Sequence, residues 1–265
     1  MAEPILLRHD ADHIATLTLN APASLNALSD AMLAALSAEF TRLSTDPTIR
    51  VIILQGAGRA FCAGHDLKEM QAARAAPDKG AACFADLFAR CAALMQMIPA
   101  LPQPVIAQVH GIATAAGCQL AAACDLVTAA DSARFGVNGV NIGLFCSTPM
   151  VALSRKVPAG VAFEMLTTGE FLTAARAREV GLVNRVSPPE TLTEDTLALA
   201  RTLAAKLTAA VKIGKRAFYD QLNLPLAEAY ALTAQVMRDN MLWRDTYEGI
   251  SAFLEKRKPD WADQT

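Results

Sequence analysis

Aromatic side chains make up only 6% of this 265-residue chain, and its formal net charge is −2. The first shortage argues against platforms for stacking nucleic-acid bases. The second argues against a basic field that would draw phosphate backbones or an acidic membrane surface. No C-x-x-C pair occurs: Cys62, Cys83, Cys91, Cys118, Cys124 and Cys146 are scattered. In a chain of this length that spacing predicts buried, reduced thiols rather than a disulfide framework or a metal site. The opening MAEPILLRHD lacks the basic-then-apolar layout of a secretory leader, so the expected compartment is the cytoplasm. No nucleotide fingerprint is present either: no G-x-G-x-x-G opens the first helix, and no G-x-x-x-x-G-K-[ST] is found. One uncharged run, residues 105–124, is about long enough to cross a bilayer. His110, two glutamines and two glycines interrupt it, so the reading is a buried strand–turn–helix with no membrane insertion.

What the chain does have is apolar mass, with 53% hydrophobic and 19% charged residues, enough for a well-filled core. Residues 4–9 and 14–19 read as a hairpin. Ser29 or Asp30 can cap a helix that carries Met32, Leu33, Leu36, Phe40 and Leu43 on one face. Residues 50–56 read as a buried strand ending at glycine. GAGRAFCAGHDLKEM, 56–70, is a glycine-rich turn feeding a short helix. A long helical segment follows and stops near 98, before Pro99, Pro102 and Pro104. VIAQVHG is the next strand, AAGCQLAAA a helix and DLVTAA a third buried strand. Two successive strand–turn–helix units predict βαβ crossovers. After Ser187-Pro188-Pro189 the pattern is helical to about 255 with no strand candidate, so the chain divides into residues 1–189 and 190–265.

The two glycine turns, 56–64 and 111–117, each follow a strand and open a helix. Small residues let a ligand approach the main chain, and the first N–H groups of a helix are free to donate. Two such groups converging on one oxygen would form an oxyanion hole for a carbonyl becoming an enolate; plain structural turns are the other reading.

AFCAGHDLKEM at 60–70 resembles the A-F-x-A-G-x-D-[IL] segment of the enoyl-CoA hydratase/isomerase (crotonase) superfamily. HGIATAAGCQLAAACDLVTAA at 110–130 is similar to its second signature, N-G-x-A-x-G-G-G-x-E-L-A-x-x-C-D. Further likeness runs through SLNALS, ARFGV, TGE and the terminal EGISAFLEKRKP. The resemblance implies an α/β fold: a crotonase-like ββα spiral core in 1–189 and a helical trimerisation region in 190–265. It also implies an acyl-CoA thioester as substrate, with coenzyme A part of that substrate and no separate cofactor or metal, and self-association as a trimer or dimer of trimers. By position, the oxyanion donors are the N–H groups of His65 and Ala116. Ser24, Leu25 and Ala27 fall on the segment that lines adenine and pantetheine. Ala63, His65, Asp66 and Leu67 belong to the first signature. Arg59, Lys68 and, from a neighbouring subunit, Lys256 stand where basic contacts to coenzyme A are expected; taken singly, each is also a plain surface charge.

The pattern breaks where hydratases keep two carboxylates. The first position, three residues after the oxyanion donor, is Gln119; the second, about twenty further on, falls at Gly139. An amide can orient water but cannot take its proton, so weak hydration is expected. Asn138, Asn141, Cys146, Ser147, Thr148 and the side chains of His65 and Asp66 are the remaining polar candidates, with His110 read as a core hydrogen-bonding group. GHDLKE, GIATAAGCQL and GVNIGLFCSTP together resemble one subgroup of the family that shares these substitutions.

Overall fold

The computed structural model describes residues 3–262, so the outer limits of the two expected regions, 1 and 265, lie outside it. Residues Leu6–Ala11 (β1) and Ile14–Leu19 (β2) pair antiparallel as the expected hairpin. Ser29 then caps Asp30–Ser44 (α1), its side chain accepting from the Met32 N–H at 3.3 Å. The period of Met32, Leu33, Leu36, Phe40 and Leu43 places all five on one fully buried face. Each such side chain contributes about 1.5–3 kcal/mol on burial; Phe40→Ala alone would cost about 3–5 kcal/mol.

The chain then winds in repeated turns, each of which leaves one strand in a large sheet and a strand of two or three residues in a smaller one. Val51–Gly56 (β3) is followed by Ala60–Cys62 (β4), Leu67–Ala73 (α2) and Ala81–Ala100 (α3). Val105–Val109 (β5) is followed by Ile112–Thr114 (β6) and Ala116–Ala123 (α4). Leu126–Ala130 (β7) is followed by Arg134–Gly136 (β8), a 3-10 turn over Asn138–Ile142, Pro149–Leu153 (α5) and Ala159–Thr168 (α6). Leu172–Thr173 (β9), Ala174–Glu179 (α7) and Arg185–Ser187 (β10) complete the sheets. The large sheet runs β1-β2-β3-β5-β7-β10 and the small one β4-β6-β8-β9. β2, β3, β5, β7 and β10 are parallel neighbours in turn, as are β4, β6 and β8. Parallel strands need crossovers, and here the helices supply them. The former candidate for a membrane run, 105–124, is thus β5, β6 and α4.

The three short strands β4, β6 and β8 were not foreseen, since three residues carry no readable period. The long helical segment is broken at Gly80, whose φ of +87° starts α3 afresh. Pro99 sits inside the last turn of α3 rather than just beyond it.

Four helices follow: Leu192–Ala204 (α8), Thr208–Gln221 (α9), Leu226–Met241 (α10) and Arg244–Leu254 (α11). Leu199, Ala200 and Ala204 of α8 close a second apolar cluster with Ile14, Val51, Ile53 and Ile106 on the large sheet. Residue 190 therefore marks the end of strands, not the end of packing. All six cysteines are free thiols; five are buried, but Cys83 is exposed on α3, against the expectation of uniform burial. Burial pushes Cys62, Cys118 and Cys124 up to about 12, which keeps them unreactive packing groups.

Candidate active site

Local sequence sets where the two turns meet. Gly64 has a φ of +92°, a conformation open to glycine, and a Cβ there would lie 2.9 Å from the Ala115 Cβ and 3.3 Å from the Ala116 nitrogen. The 63–65 backbone therefore lies directly against the start of α4. Ala116 is the first residue of that helix, where an N–H has no intrahelical acceptor. Among the described residues no group accepts from the N–H of His65 or of Ala116. Ala115, which precedes it, adopts φ +49° and ψ −121°, strained for a residue with a Cβ. The family signature has glycine at this position and at the next.

The segment expected to face coenzyme A is tied to the same turn. Leu28 N–H donates to Gly64 O at 2.7 Å and Ala63 N–H to Leu25 O at 3.0 Å. Asn26, fully buried, accepts from Ala21 N–H at 2.9 Å and donates to the carbonyls of Ala57 and Ala60, each at 2.8 Å. Ser24, Leu25 and Ala27 are thereby brought beside the strand and turn that carry Arg59, Ala63 and His65, with Leu67 and Lys68 opening α2. Asn26 was passed over in sequence, although an asparagine between two apolar residues is a fair sign of a turn clamp. Arg59, Leu67 and Lys68 are exposed. Asp66 is the N-cap of α2, accepting from Lys68 N–H at 2.8 Å and Glu69 N–H at 3.3 Å, which gives it a structural task. Lys256 lies in the exposed turn after α11, its N–H bonded locally to Phe253 O.

The His65 ring packs edge-on against Phe88, with centroids 5.7 Å apart. Its Nδ1 lies 3.4 Å from Leu28 O, while Nε2 is buried and has no partner among the described residues. Facing a carbonyl, Nδ1 carries the proton in our assignment and Nε2 keeps a bare lone pair. Burial pulls the ring below its usual range, so it is neutral. His110 Nε2 sits 2.9 Å from Gly58 O, holding the first glycine turn.

Gln119 is one turn along α4 from Ala116, on the same face of the helix. It is 4% exposed, and its Oε1 has no partner among the described residues. It lines a cavity of about 770 Å³ between α3, α4, α5 and α9. The second carboxylate position is closed: a Cβ on Gly139 would run into the Leu144 carbonyl oxygen and come 2.8 Å from the Cys146 Sγ. Cys146 is thus the group that fills this space, and burial raises its thiol pKa. Nearby, Thr114 Oγ1 donates to Asn138 Oδ1 at 2.6 Å. The Asn141 side chain packs against Gly169, while Ser147 and Thr148 lead into α5, Thr148 also lining the cavity.

At the far side of the cavity lies a polar group that sequence reading missed. Asp125 accepts from Val105 N–H at 2.6 Å, Lys215 Nζ at 2.7 Å and Tyr219 O–H at 2.7 Å. Lys215 also donates to Ile98 O and Gln103 O; desolvation outweighs the pull of Asp125 and lowers its pKa. Lys156 Nζ donates to Asp125 O at 3.0 Å, and burial lowers its pKa too. The available signals were the closing aspartate of the second signature and its place at the mouth of an apolar strand, 126–130.

This arrangement, two N–H groups without acceptors among the described residues at a strand–turn–helix junction near a cavity, can polarise a carbonyl but offers no carboxylate at either usual position. Comparison with known proteins agrees with the fold. The enoyl-CoA hydratase/isomerase family profile matches residues 9–264, and the chain belongs to that family. A crystal structure of an enoyl-CoA hydratase from Mycobacterium smegmatis is 53% identical, with a TM-score of 0.94, covering 98% of this chain and 99% of that one. Human mitochondrial enoyl-CoA hydratase domain-containing protein 3 is 45% identical over 253 residues, 96% of this chain and 82% of its own length. The human protein's crystal structure aligns at a TM-score of 0.92 and 44% identity, covering 97% of this chain and all of that one. The subgroup that the substituted signatures resemble is this one. The same relatives correct the compartment: those from human, Xenopus laevis and rat are named mitochondrial. The cytoplasmic reading rested on ten N-terminal residues, whose pattern does not fix a compartment.

Proposed function

We propose that this protein binds acyl-CoA thioesters and stabilises an enolate-like state through the N–H groups of His65 and Ala116. The observation that supports this reading is the close approach of Gly64 to Ala115 and Ala116, together with two neighbouring N–H groups, of His65 and Ala116, that have no acceptor among the described residues. Coenzyme A would run along Ser24, Leu25, Ala27 and Ala63, with Arg59 and Lys68 at its phosphates and Lys256 reaching in from a neighbouring subunit. Asp66 and Leu67 would shape that edge. Assembly as a trimer or dimer of trimers is supported by the C-terminal helices, where Leu226, Leu242 and Phe253 leave large apolar side chains in solvent.

With Gln119 and a closed Gly139 position, no carboxylate accepts water's proton, so hydration of crotonyl-CoA would be slow. A step that needs no base fits better. In a malonyl-type thioester the C–C bond to the carboxylate breaks, its electron pair passes into the enolate, CO₂ leaves, and solvent later protonates the α-carbon. The filled space at Gly139 equally supports a second reading, an acyl-CoA binder without turnover. Incubation with enoyl-, β-hydroxyacyl- and malonyl-type CoA esters, followed by mass spectrometry and calorimetry, tests both. Decarboxylated product favours the first and tight binding without product the second; neither product nor binding refutes both.

A further inference from the structure

The cavity beside Gln119 is not a plain apolar pocket. Much of its lining is apolar, including Met95, Ala122, Val151, Phe218 and Leu222. Its lining also includes Arg155, Lys156 and Asp125. Asp125 is already taken by Lys215 and Tyr219. That leaves two cations whose bonds within the chain go only to backbone carbonyls: Lys156 to Asp125 O at 3.0 Å and Arg155 to Val151 O at 2.9 Å. Among the described residues neither is paired with a carboxylate. Lys156 feels the Asp125 carboxylate only at longer range, because Lys215 and Tyr219 already hold that group; a ligand carboxylate would give this half-buried ammonium a direct partner.

The lining also runs in a direction. Gln119, Ala122 and Ala123 follow one another down α4, and Asp125 lies just past its end. From Ala116 to its last residue, Ala123, α4 advances about 10 Å at ~1.5 Å per residue, and Asp125 follows two residues on. With C–C bonds of about 1.5 Å in a zigzag, each carbon advances about 1.3 Å, so an acyl chain of roughly eight to ten carbons covers that span. Ala116 and His65 do not themselves line the cavity; Gln119, one turn from Ala116, does, and past it a chain leaving a thioester carbonyl at Ala116 would enter the cavity and reach Lys156.

We propose that this cavity receives the acyl chain of a CoA thioester whose far end carries a carboxylate, held by Lys156 and Arg155. The inference rests on the acyl-CoA reading above and names the substrate class for it. The Gln119 amide, neutral where the family keeps a carboxylate, lets such a singly charged acyl group pass without like-charge repulsion.

Calorimetry with two matched series tests it: ω-carboxyalkanoyl-CoA and plain alkanoyl-CoA of six, eight and ten carbons. At one chain length or more, the ω-carboxy ester should bind at least tenfold tighter than its plain partner. Lys156→Met should bring that ratio to within twofold of one, Lys156→Arg should retain it, and Arg155→Gln, on an exposed residue, should lower it severalfold. A ratio near one at every length in the unaltered protein refutes the carboxylate end while leaving acyl-CoA binding intact. No binding by either series refutes the acyl-CoA reading itself, and this inference with it. A wild-type preference that survives Lys156→Met and Arg155→Gln together also overturns the assignment.

Discussion

Returning the missing carboxylates separates the two positions. Gln119→Glu is nearly isosteric and places its acid in a buried site, at 4% exposure for the present residue. Desolvation would raise that carboxyl above the usual ~4.3, towards the pH at which general acid–base catalysis is efficient. One positioned base is worth about 10²–10⁴ in rate, so crotonyl-CoA hydration should rise at least about tenfold, yet stay well below a two-carboxylate hydratase. Gly139→Glu should do the opposite. Its Cβ meets a backbone carbonyl at Leu144 and the Cys146 Sγ at 2.8 Å, and only the sulfur can be removed by substitution. Overpacking of this kind costs about 1–3 kcal/mol, or roughly 2–12 °C in Tm for a chain of this size. Adding Cys146→Ala should recover only part of that loss. The assay is the loss of enoyl absorbance together with thermal unfolding of each variant. A Gly139→Glu protein that keeps its Tm and hydrates tenfold faster would refute the steric reasoning. So would a double variant that outperforms Gln119→Glu.

Three further outcomes follow from the geometry. Ala115→Gly should relieve the strain of φ +49°, ψ −121°, worth about 1–3 kcal/mol, against about 0.5–1 kcal/mol of added chain entropy; urea unfolding should show a gain, and a loss would sink the strain argument. Lys215→Met strips a counter-ion from Asp125 in a pair whose side chains are 7% and 14% exposed; a loss of about 3–5 kcal/mol is expected, and a loss under 1 kcal/mol would show the pair to be dispensable. His65 is held neutral by burial, its folded pKa below the unfolded ~6.5. As pH falls below about 6.5 the unfolded chain takes a proton that the folded one refuses, so stability drops towards the folded pKa. The stability gap between wild type and His65→Gln should therefore shift in favour of the variant from pH 7.5 to pH 5; a pH-independent gap would contradict this.

Much of the α/β frame was legible because its signals are local. The period of Met32 to Leu43 set α1, the apolar runs set β2, β3, β5 and β7, and the two signatures set the family. The loss of both hydratase carboxylates at Gln119 and Gly139 could be read from position alone. Tertiary structure decided what the chain cannot write in one dimension. The strands β4, β6 and β8 exist because neighbours such as Ala60 and Ile112, or Ile112 and Arg134, far apart in sequence, complete a sheet. The closure at Gly139 depends on where Leu144 and Cys146 fold back, and Asn26 becomes a clamp only once residues 57 and 60 reach it. The cation pair Arg155 and Lys156 acquires meaning only when α3, α4, α5 and α9 enclose a common cavity, since burial and the lack of a direct carboxylate partner are properties of surroundings and not of residue type.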